Sequence, residues 1–151
     1  MDQRDVWRRV ARDFYYKTFC PPEQAGQLDF IDYNYPVRDV HIERGTRLWG
    51  FKDPRVSPLK TTFFCIPGTP ADILGVHGAG NLKTHARVLS KVLNDYEVVA
   101  PIPHALESLC ADGLDAWSIG GQTLTVRGGG WQYKIPSAHK YLRYTTPFPK
   151  R

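Results

Sequence analysis

Gly128-Gly129-Gly130-Trp131-Gln132-Tyr133 is the most informative run of residues in this chain of 151. Consecutive glycines remove the Cβ atoms from one rim, so a ligand can approach the backbone closely. The carboxamide that follows can donate and accept hydrogen bonds, and the indole offers a flat apolar face. This order indicates a nucleotide or another flat polar ligand at the edge of a sheet. A glycine-rich β-turn without a ligand is the alternative.

Outward from this run, the chain predicts one helix followed by many short strands. Val6, Val10 and Phe14 recur at four-residue spacing, which predicts an amphipathic helix over residues 2–19 that ends before Pro21. Residues 84–93 fit either a helical face or the start of a strand that continues to Val99. Strands are predicted at 37–42, 47–51, 61–66, 96–99, 117–119, 123–126, 133–136 and 139–144. The predicted fold class is therefore α+β, mainly β.

Two segments lack a clear pattern. Residues 23–36 are expected to be irregular, with Leu28, Phe30 and Ile31 turned inward, and residues 104–111 are expected to form one or two helical turns.

Length and composition favour an ordinary globular domain. The 151 residues are 42% hydrophobic and 23% charged, which suits one domain with a real core. The chain has no apolar run of membrane-spanning length, and its first residues carry no signal-peptide core. We therefore expect a cytoplasmic protein or a piece of a longer protein exported by other means. Cys20, Cys65 and Cys110 are read as buried or incidental thiols, with a catalytic cysteine as the alternative.

The net charge of +5 is unevenly distributed. No Asp or Glu follows Asp115, whereas six Lys and Arg do, and Asp72 is the only acid between Pro54 and Asn94. A basic surface attracts phosphates, nucleic acid or an acidic protein partner.

Several landmarks, in order, resemble the polymorphic toxin type 46 family. They are the segments 31–37, 44–48, 63–76 and 115–118, followed by the glycine-rich Trp131-Gln132-Tyr133. The resemblance implies an ADP-ribosyltransferase-like split sheet with an N-terminal helix. It also implies that residues 1–151 are a single toxin domain, the C-terminal payload of a longer effector. Such domains are similar to NAD(P) glycohydrolase toxins of type VI secretion systems.

The implied reaction is hydrolysis of NAD(P)+ as a substrate, with no cofactor and no metal. Nicotinamide departs neutral and leaves a ribosyl oxocarbenium ion, so the site needs a carboxylate, polar groups for the ribose and cations for the pyrophosphate. The resemblance assigns catalysis to Asp115 and Gln132, with Asp112 as the nearest rival to Asp115. An Asp that caps a turn after Gly113, and a Gln that satisfies a buried strand edge, are the structural alternatives.

The remaining candidate residues are expected to bind substrate. Arg47, Arg44 and Lys60 are candidates for the pyrophosphate, and aromatic side chains are candidates for the walls of the base pockets. One similar NAD glycohydrolase toxin carries an Arg where this chain has Thr62, so a different arrangement of the phosphate contacts, with Lys60 as the nearest cation, stays open. The full set of substrate-binding candidates is Arg47, Arg44, Lys60, Phe63, Phe64, Trp117, Gly130 and Trp131.

Three other functions stay open at this point. ADP-ribosyl transfer to a macromolecule is the first, although the chain lacks the Glu-x-Glu pair that many protein-modifying transferases use. A basic nucleic-acid-binding protein or nuclease is the second, and a catalytically inactive binding module is the third. A toxin implies a cognate acidic immunity protein, secretion by a contact-dependent system and action in the cytoplasm of the target cell. The choice between NAD and NADP is not fixed by the sequence.

Overall fold

A computed structural model describes residues 2–52, 63–69, 74, 92–119, 122–126 and 128–145. Within these ranges it describes the backbone alone at 23–26, 52, 92, 113–119 and 122–126. The described residues form helix α1 (Gln3–Lys17), a 3₁₀ helix (Pro22–Phe30), a 3₁₀ turn (Ala138–Lys140), and strands β1 (Arg38–Ile42), β2 (Arg47–Lys52), β3 (Phe63–Phe64), β4 (Val92–Val98), β5 (Ile102–Leu109), β6 (Gly113–Ile119), β7 (Gln122–Val126), β8 (Trp131–Lys134) and β9 (Leu142–Tyr144).

Helix α1 forms where the apolar spacing predicts it. The side chain of Asp2 caps its first turn by accepting a hydrogen bond from the Arg4 amide at 3.0 Å. Ala11, Phe14 and Tyr15 are buried on one side of the helix, and charged residues occupy the other. The predicted amphipathic helix is confirmed.

The strands form two main sheets. The first has the order β1-β5-β8-β3 and the second has the order β2-β4-β9, with every pairing antiparallel. The two sheets meet at β3, because Cys65 directly follows this strand and exchanges backbone hydrogen bonds of 2.8 and 2.9 Å with Trp49 of β2. The α+β, mainly β class is confirmed.

The four-stranded sheet is the middle of three layers. Leu106 on its outer face packs in a cluster with Phe14 and Tyr15 of α1. Its neighbour Ala105 belongs to a second cluster with Leu48 and Tyr96, which lies between the two sheets. Because successive residues of a strand point to opposite faces, one strand supplies both cores.

Strands β6 and β7 extend the β5–β8 pair beyond a bend. Leu109 pairs with Trp131 at the end of the main sheet, and Gly113 pairs with Val126 at the start of the hairpin. Between them, the Cys110 amide donates to the Gly130 carbonyl at 2.8 Å. The predicted strand pair at 117–119 and 123–126 is confirmed, while Gly120 and Gly121 lie outside the described residues.

The structure corrects three predictions. Residues 104–111 are not helical, because Ile102–Leu109 is strand β5. Pro103 fits there because it lies where the register with β1 shifts, and a residue without a backbone N–H is tolerated at such an irregularity. Residues 22–30 form a 3₁₀ helix rather than irregular chain, and Phe30 is 51% exposed rather than turned inward.

The other boundaries agree more closely. Residues 92–98 are strand, which settles the described part of the ambiguous segment, and 84–91 lie outside the described residues. Of the predicted strand at 61–66, only Phe63–Phe64 is a described strand, and residues 61 and 62 are not described. His139 lies in the 3₁₀ turn, and the last strand begins at Leu142.

Candidate active site

A small aromatic cavity lies where the two sheets meet. Its volume is about 50 Å³. Strands β2, β3 and β8 supply most of its wall. The described lining residues are Trp49, Phe51, Phe63, Phe64, Cys65, Leu74 and Gln132. Three of the sequence-predicted site residues, Phe63, Phe64 and Gln132, are therefore brought together.

The Gln132 carboxamide is fixed within this arrangement. The residue is only 5% exposed, and its Nε2 lies 3.3 Å from the Phe30 carbonyl oxygen and 3.4 Å from Ser108 Oγ. A carbonyl oxygen can only accept, so the nitrogen of the amide must face Phe30. Oε1 is left without a hydrogen-bond donor among the described residues. The carboxamide therefore presents an acceptor whose position is set by the chain's own structure.

Lys134 is an unexpected neighbour of Gln132 on β8. It is two positions further along, so it lies on the same face of the sheet, and it is buried. Its Nζ lies 5.6 Å from the centre of the Tyr15 ring and 5.7 Å from that of Phe63. Burial lowers the pKa of Lys134 to about 8. Sequence reasoning missed this residue because a Lys next to a Tyr in a basic segment resembles an ordinary solvated side chain.

Gly128, the first residue of the glycine run, packs closely against the chain's own backbone. A Cβ atom on Gly128 would lie 2.2 Å from the Cys110 carbonyl oxygen, so this position closes against backbone rather than opening a rim. Its amide donates to Asp112 Oδ1 at 2.6 Å. Gly129 has a φ of +107° and open space around it, and Gly130 is buried. Glycine at position 128 is therefore required by the chain's own backbone, and the predicted close approach of a ligand to the glycine run stays a prediction.

Asp112, Gly128 and Gly129 border a second, open depression. Its volume is about 280 Å³, and Asp32, Tyr35, Leu109 and Cys110 complete its described lining. Asp112, the rival of Asp115, thus has a structural role as acceptor for the glycine turn.

Asp115 lies in β6, beyond the bend. Its backbone pairs with Leu124, and the register shifts between Asp115 and Ser118, a stretch that includes Trp117. Its place inside a strand contradicts the alternative of an Asp that caps a turn. The side chains of Asp115 and Trp117 lie outside the described part of the structure, so their predicted roles stay predictions. Trp131 is exposed at the start of β8. Because side chains alternate along a strand, it lies on the same face of the sheet as Tyr133 and on the opposite face from Gln132.

Among the described residues, Arg47 and Arg44 do not line the aromatic cavity. The Arg47 guanidinium pairs with the buried carboxylate of Asp95, which also accepts from Thr145 Oγ1 at 2.6 Å. This ion pair gives Arg47 a structural role in joining β2 to β4. Arg44 is exposed in the turn before β2, and Lys60 lies outside the described residues.

A larger groove opens beside Arg47, between β1, β8 and the start of β2. Its volume is about 500 Å³. Glu107 on its wall accepts a hydrogen bond from the Tyr133 hydroxyl at 3.2 Å. Burial and this carboxylate raise the pKa of Tyr133 to about 12. Because Tyr133 and Gln132 are consecutive in a strand, the groove and the aromatic cavity lie on different faces of β8.

Three further properties bear on the class of protein. Among the described residues, no helix is long and apolar enough to span a membrane, and no three His, Cys, Asp or Glu side chains form a cluster able to hold a metal ion. Cys65 and Cys110 are buried, and burial raises the pKa of each thiol to about 11. At neutral pH both stay protonated, which weighs against either as a catalytic nucleophile.

The family is established by comparison with known sequences. The model of the family described as bacterial toxin 46 matches residues 3–143, so the chain belongs to this family. The family resemblance read from the sequence is confirmed.

A curated relative is the NAD(P)(+) glycohydrolase toxin Tse6 of Pseudomonas aeruginosa strain PAO1. The two are 28% identical over 123 residues, which cover 82% of this chain and 28% of Tse6. The chain thus spans about 28% of the length of this relative.

Two solved structures are similar in fold. Tse6 in its complex with Tsi6 aligns with a TM-score of 0.70 and 20% identity, covering 97% of this chain and 98% of that one. Rhs1-CT in complex with its cognate immunity protein RhsI1 aligns with a TM-score of 0.48 and 16% identity, covering 76% of this chain and 81% of that one. The fold of the Tse6 toxin chain is thus shared over nearly the whole of both chains.

Proposed function

We propose that this chain is a toxin domain that hydrolyses NAD(P)+ to nicotinamide and ADP-ribose or its phosphate. Membership of the bacterial toxin 46 family supports a toxin, and the similarity to Tse6 supports the reaction. The observation that carries most weight is the buried Gln132 carboxamide, which presents a fixed acceptor at a cavity walled by aromatic side chains.

The proposed chemistry breaks the bond between C1 of the ribose and the ring nitrogen of nicotinamide. The electron pair of this bond leaves with nicotinamide, which becomes neutral. Water adds to C1 of the resulting oxocarbenium ion and loses a proton. Asp115 is the proposed carboxylate that stabilises the cation and orients the water.

Gln132 acts as an acceptor in this proposal. Since Phe30 and Ser108 hold its Nε2, Oε1 is the atom left to accept from an N–H of the nicotinamide amide or from a ribose hydroxyl. Donors and acceptors held in advance cost no reorganisation during the reaction.

The size of the cavity limits what it can hold. At about 50 Å³ it is far smaller than the roughly 300–1,000 Å³ of typical ligand pockets, so it receives only one edge of the substrate. Phe63 and Phe64 would form the flat walls there. The rest of the dinucleotide would lie along the surface near Gly130, Trp131 and Trp117, with phosphates reaching Arg44, Lys60 or Arg47.

The wider role follows from the same proposal. The two sheets joined through β3 suit an ADP-ribosyltransferase-like split core, and residues 1–151 would be the C-terminal payload of a longer effector. A contact-dependent system would deliver it to the cytoplasm of a target cell. A cognate acidic immunity protein would protect the producing cell, as the basic surface of the toxin favours an acidic partner.

Release of nicotinamide from NAD+ and NADP+ by the purified chain tests the proposal. We expect turnover by the wild type and a loss of roughly 100-fold or more in Asp115→Ala and Gln132→Ala. Gln132→Glu keeps the shape of the side chain but removes both N–H donors, so it should lose activity as well. Asp112→Ala is the matched control. This carboxylate accepts a hydrogen bond from the glycine turn and has no proposed contact with the reacting bond, so the variant should keep most of the turnover.

Each other outcome has a clear meaning. Release only in the presence of cell lysate would point to ADP-ribosyl transfer onto a macromolecule. Loss in Asp112→Ala but not in Asp115→Ala would move the catalytic role to Asp112. No release under any condition would refute the glycohydrolase, leaving a nuclease or an inactive binding module.

A further inference from the structure

An exposed phenylalanine occupies an unfavourable backbone position at the end of helix α1. Phe19 has a φ of +56° and is 92% exposed. The Phe19 amide donates to the Tyr16 carbonyl and the Cys20 amide donates to the Tyr15 carbonyl, both at 3.1 Å, so Phe19 is the left-handed residue that closes the helix. Glycine is the usual residue at this position, because a Cβ atom disfavours left-handed backbone.

Phe19 therefore combines two costs that glycine would avoid. A bulky residue at positive φ is strained, and strained residues of this kind cluster at functional sites. The phenyl ring also remains in water, and none of the described residues forms a ring contact with it. Neither property stabilises the isolated domain.

The neighbouring helix surface has the composition of a binding hot spot. Tyr16, next to Phe19, is 86% exposed. Arg12 lies one turn before Tyr16 and Arg9 lies one turn before Arg12, so the three share one face. Neither arginine forms an ion pair with a described residue, and Asp13 is the one carboxylate between Arg9 and Phe19. Tyr and Arg are enriched among residues that dominate protein–protein binding energies.

We propose that Arg9, Arg12, Tyr16 and Phe19, named here the α1 surface, dock the immunity protein. This inference rests on the proposal above that the chain is a toxin with such a partner. The matching surface on the partner would be acidic, with an apolar pocket that receives the Phe19 ring. The two guanidinium groups, which form no ion pair with a described residue, fix the sign of the partner's charge, and the two exposed rings supply the apolar contact.

The α1 surface is separate from the aromatic cavity. Helix α1 turns Phe14 and Tyr15 inward, and Tyr15 lies next to Lys134 on the sheet, whereas Tyr16 and Arg12 face solvent. A partner anchored here holds the toxin without using the groups proposed to bind substrate. Changes on this surface should therefore alter protection and leave catalysis intact.

Phe19→Gly provides the sharpest test, because it removes the ring and relieves the strain at once. The affinity of the purified domain for the purified product of the gene adjoining its own is measured by calorimetry. We expect binding to weaken roughly 30-fold in Phe19→Gly and in Tyr16→Ala. The Tm of Phe19→Gly should not fall, and nicotinamide release by the free domain should match the wild type.

Tyr35→Ala is the matched aromatic control. Lys17 and His104 both contact Asp39, so the end of α1 lies near the start of β5. Tyr35 lines the depression at Cys110, which lies just past the other end of β5. Five strand positions, about 17 Å, separate His104 from Leu109. Tyr35→Ala should bind as the wild type does. Arg12→Glu should slow association and reduce its salt dependence.

Several outcomes would overturn the inference. They are unchanged affinity in Phe19→Gly, equal weakening in Tyr35→Ala, a fall in the Tm of Phe19→Gly, or no binding of the adjoining gene's product. Concentration-dependent dimerisation that Phe19→Gly abolishes would instead assign the surface to a second copy of the chain. Binding of the partner is measured without substrate. An absence of nicotinamide release would therefore refute the proposed reaction, and the binding measurements would still test the α1 surface.

Discussion

Lys134 is buried, and its burial disfavours the charged form of the side chain. Burial favours its neutral form and lowers its pKa from 10.5 to about 8, although two aromatic faces lie within reach of the ammonium group. At pH values between the folded and unfolded pKa, the unfolded chain holds more protons at this residue than the folded chain does. The free energy of unfolding contributed by Lys134 therefore rises as the pH increases from 8 towards 10.5.

Lys134→Met should remove this pH dependence. The difference in unfolding free energy between wild type and variant should shift by about 1 kcal/mol in favour of the wild type between pH 8 and pH 9. Urea titrations at pH 7, 8 and 9 measure it. The exposed Lys140→Met is the control and should show no such shift. A constant difference for Lys134→Met across this range would mean that Lys134 keeps an ordinary pKa.

The sequence identifies Gln132 as a candidate but not its surroundings. The aromatic-Gln-aromatic pattern and the family resemblance single out the residue. That Ser108 lies opposite it, and that Phe30 accepts from it, depends on the pairing of β5 with β8 and on where the 3₁₀ helix ends. These contacts join residues 24 and 102 positions apart, which local pattern cannot specify.

At the scale of elements, α1 is predictable and β5 is not. The helix has a repeating apolar face and a proline stop, both local signals. In β5, the proline and the register shift interrupt the two-residue alternation. In addition, the successive residues Ala105 and Leu106 are both buried, on opposite faces of the sheet. A strand covered on both faces has no polar side to reveal its period.

The bend between the main sheet and the β6–β7 hairpin depends on Gly128. Gly128→Ala would force the new methyl group into the backbone of Cys110 and Ala111, 2.2–2.5 Å away. We expect a loss of about 2 kcal/mol or more in unfolding free energy, measured by urea denaturation.

Gly45→Asn is the control for this substitution. In contrast to Gly128, a Cβ atom on Gly45 would meet no atom within 4 Å, and its φ of +91° lies in a region where Asn is better tolerated than other residues. Its cost should stay below about 1 kcal/mol. If Gly128→Ala is as well tolerated as Gly45→Asn, the bend is more adaptable than its contacts indicate.

At the scale of the whole molecule, the two sheets should unfold together. The core cluster between them includes Leu48, Phe64 and Ala105, and the Trp49–Cys65 bridge joins their backbones. Residues 1–151 should therefore unfold in one transition, with coincident urea curves from tryptophan fluorescence and far-UV circular dichroism.

Phe64→Ala tests this coupling directly. It should lower the unfolding free energy by about 3–5 kcal/mol and shift the midpoints of both curves equally. Ile66→Ala, at an exposed position, should change neither midpoint by much. Two separate midpoints would show that each sheet unfolds on its own.

The mainly β class follows from the series of short β-rich segments, but the split into two sheets does not. That division requires the chain to change its pairing partner within three residues. Phe63 and Phe64 pair with β8, and Cys65 forms backbone hydrogen bonds with Trp49 of β2. The family resemblance anticipated a split core, whereas alternation of residues alone is equally compatible with one continuous sheet.

The three thiols differ in exposure, so a single one of them can be labelled in the folded protein. Cys65 and Cys110 are buried and held protonated, while Cys20 is partly exposed and immediately follows Phe19. A maleimide dye at neutral pH should therefore attach to one position in the folded chain. Because that position adjoins the α1 surface, the brightness of a single fluorophore can follow a partner's arrival and departure in real time.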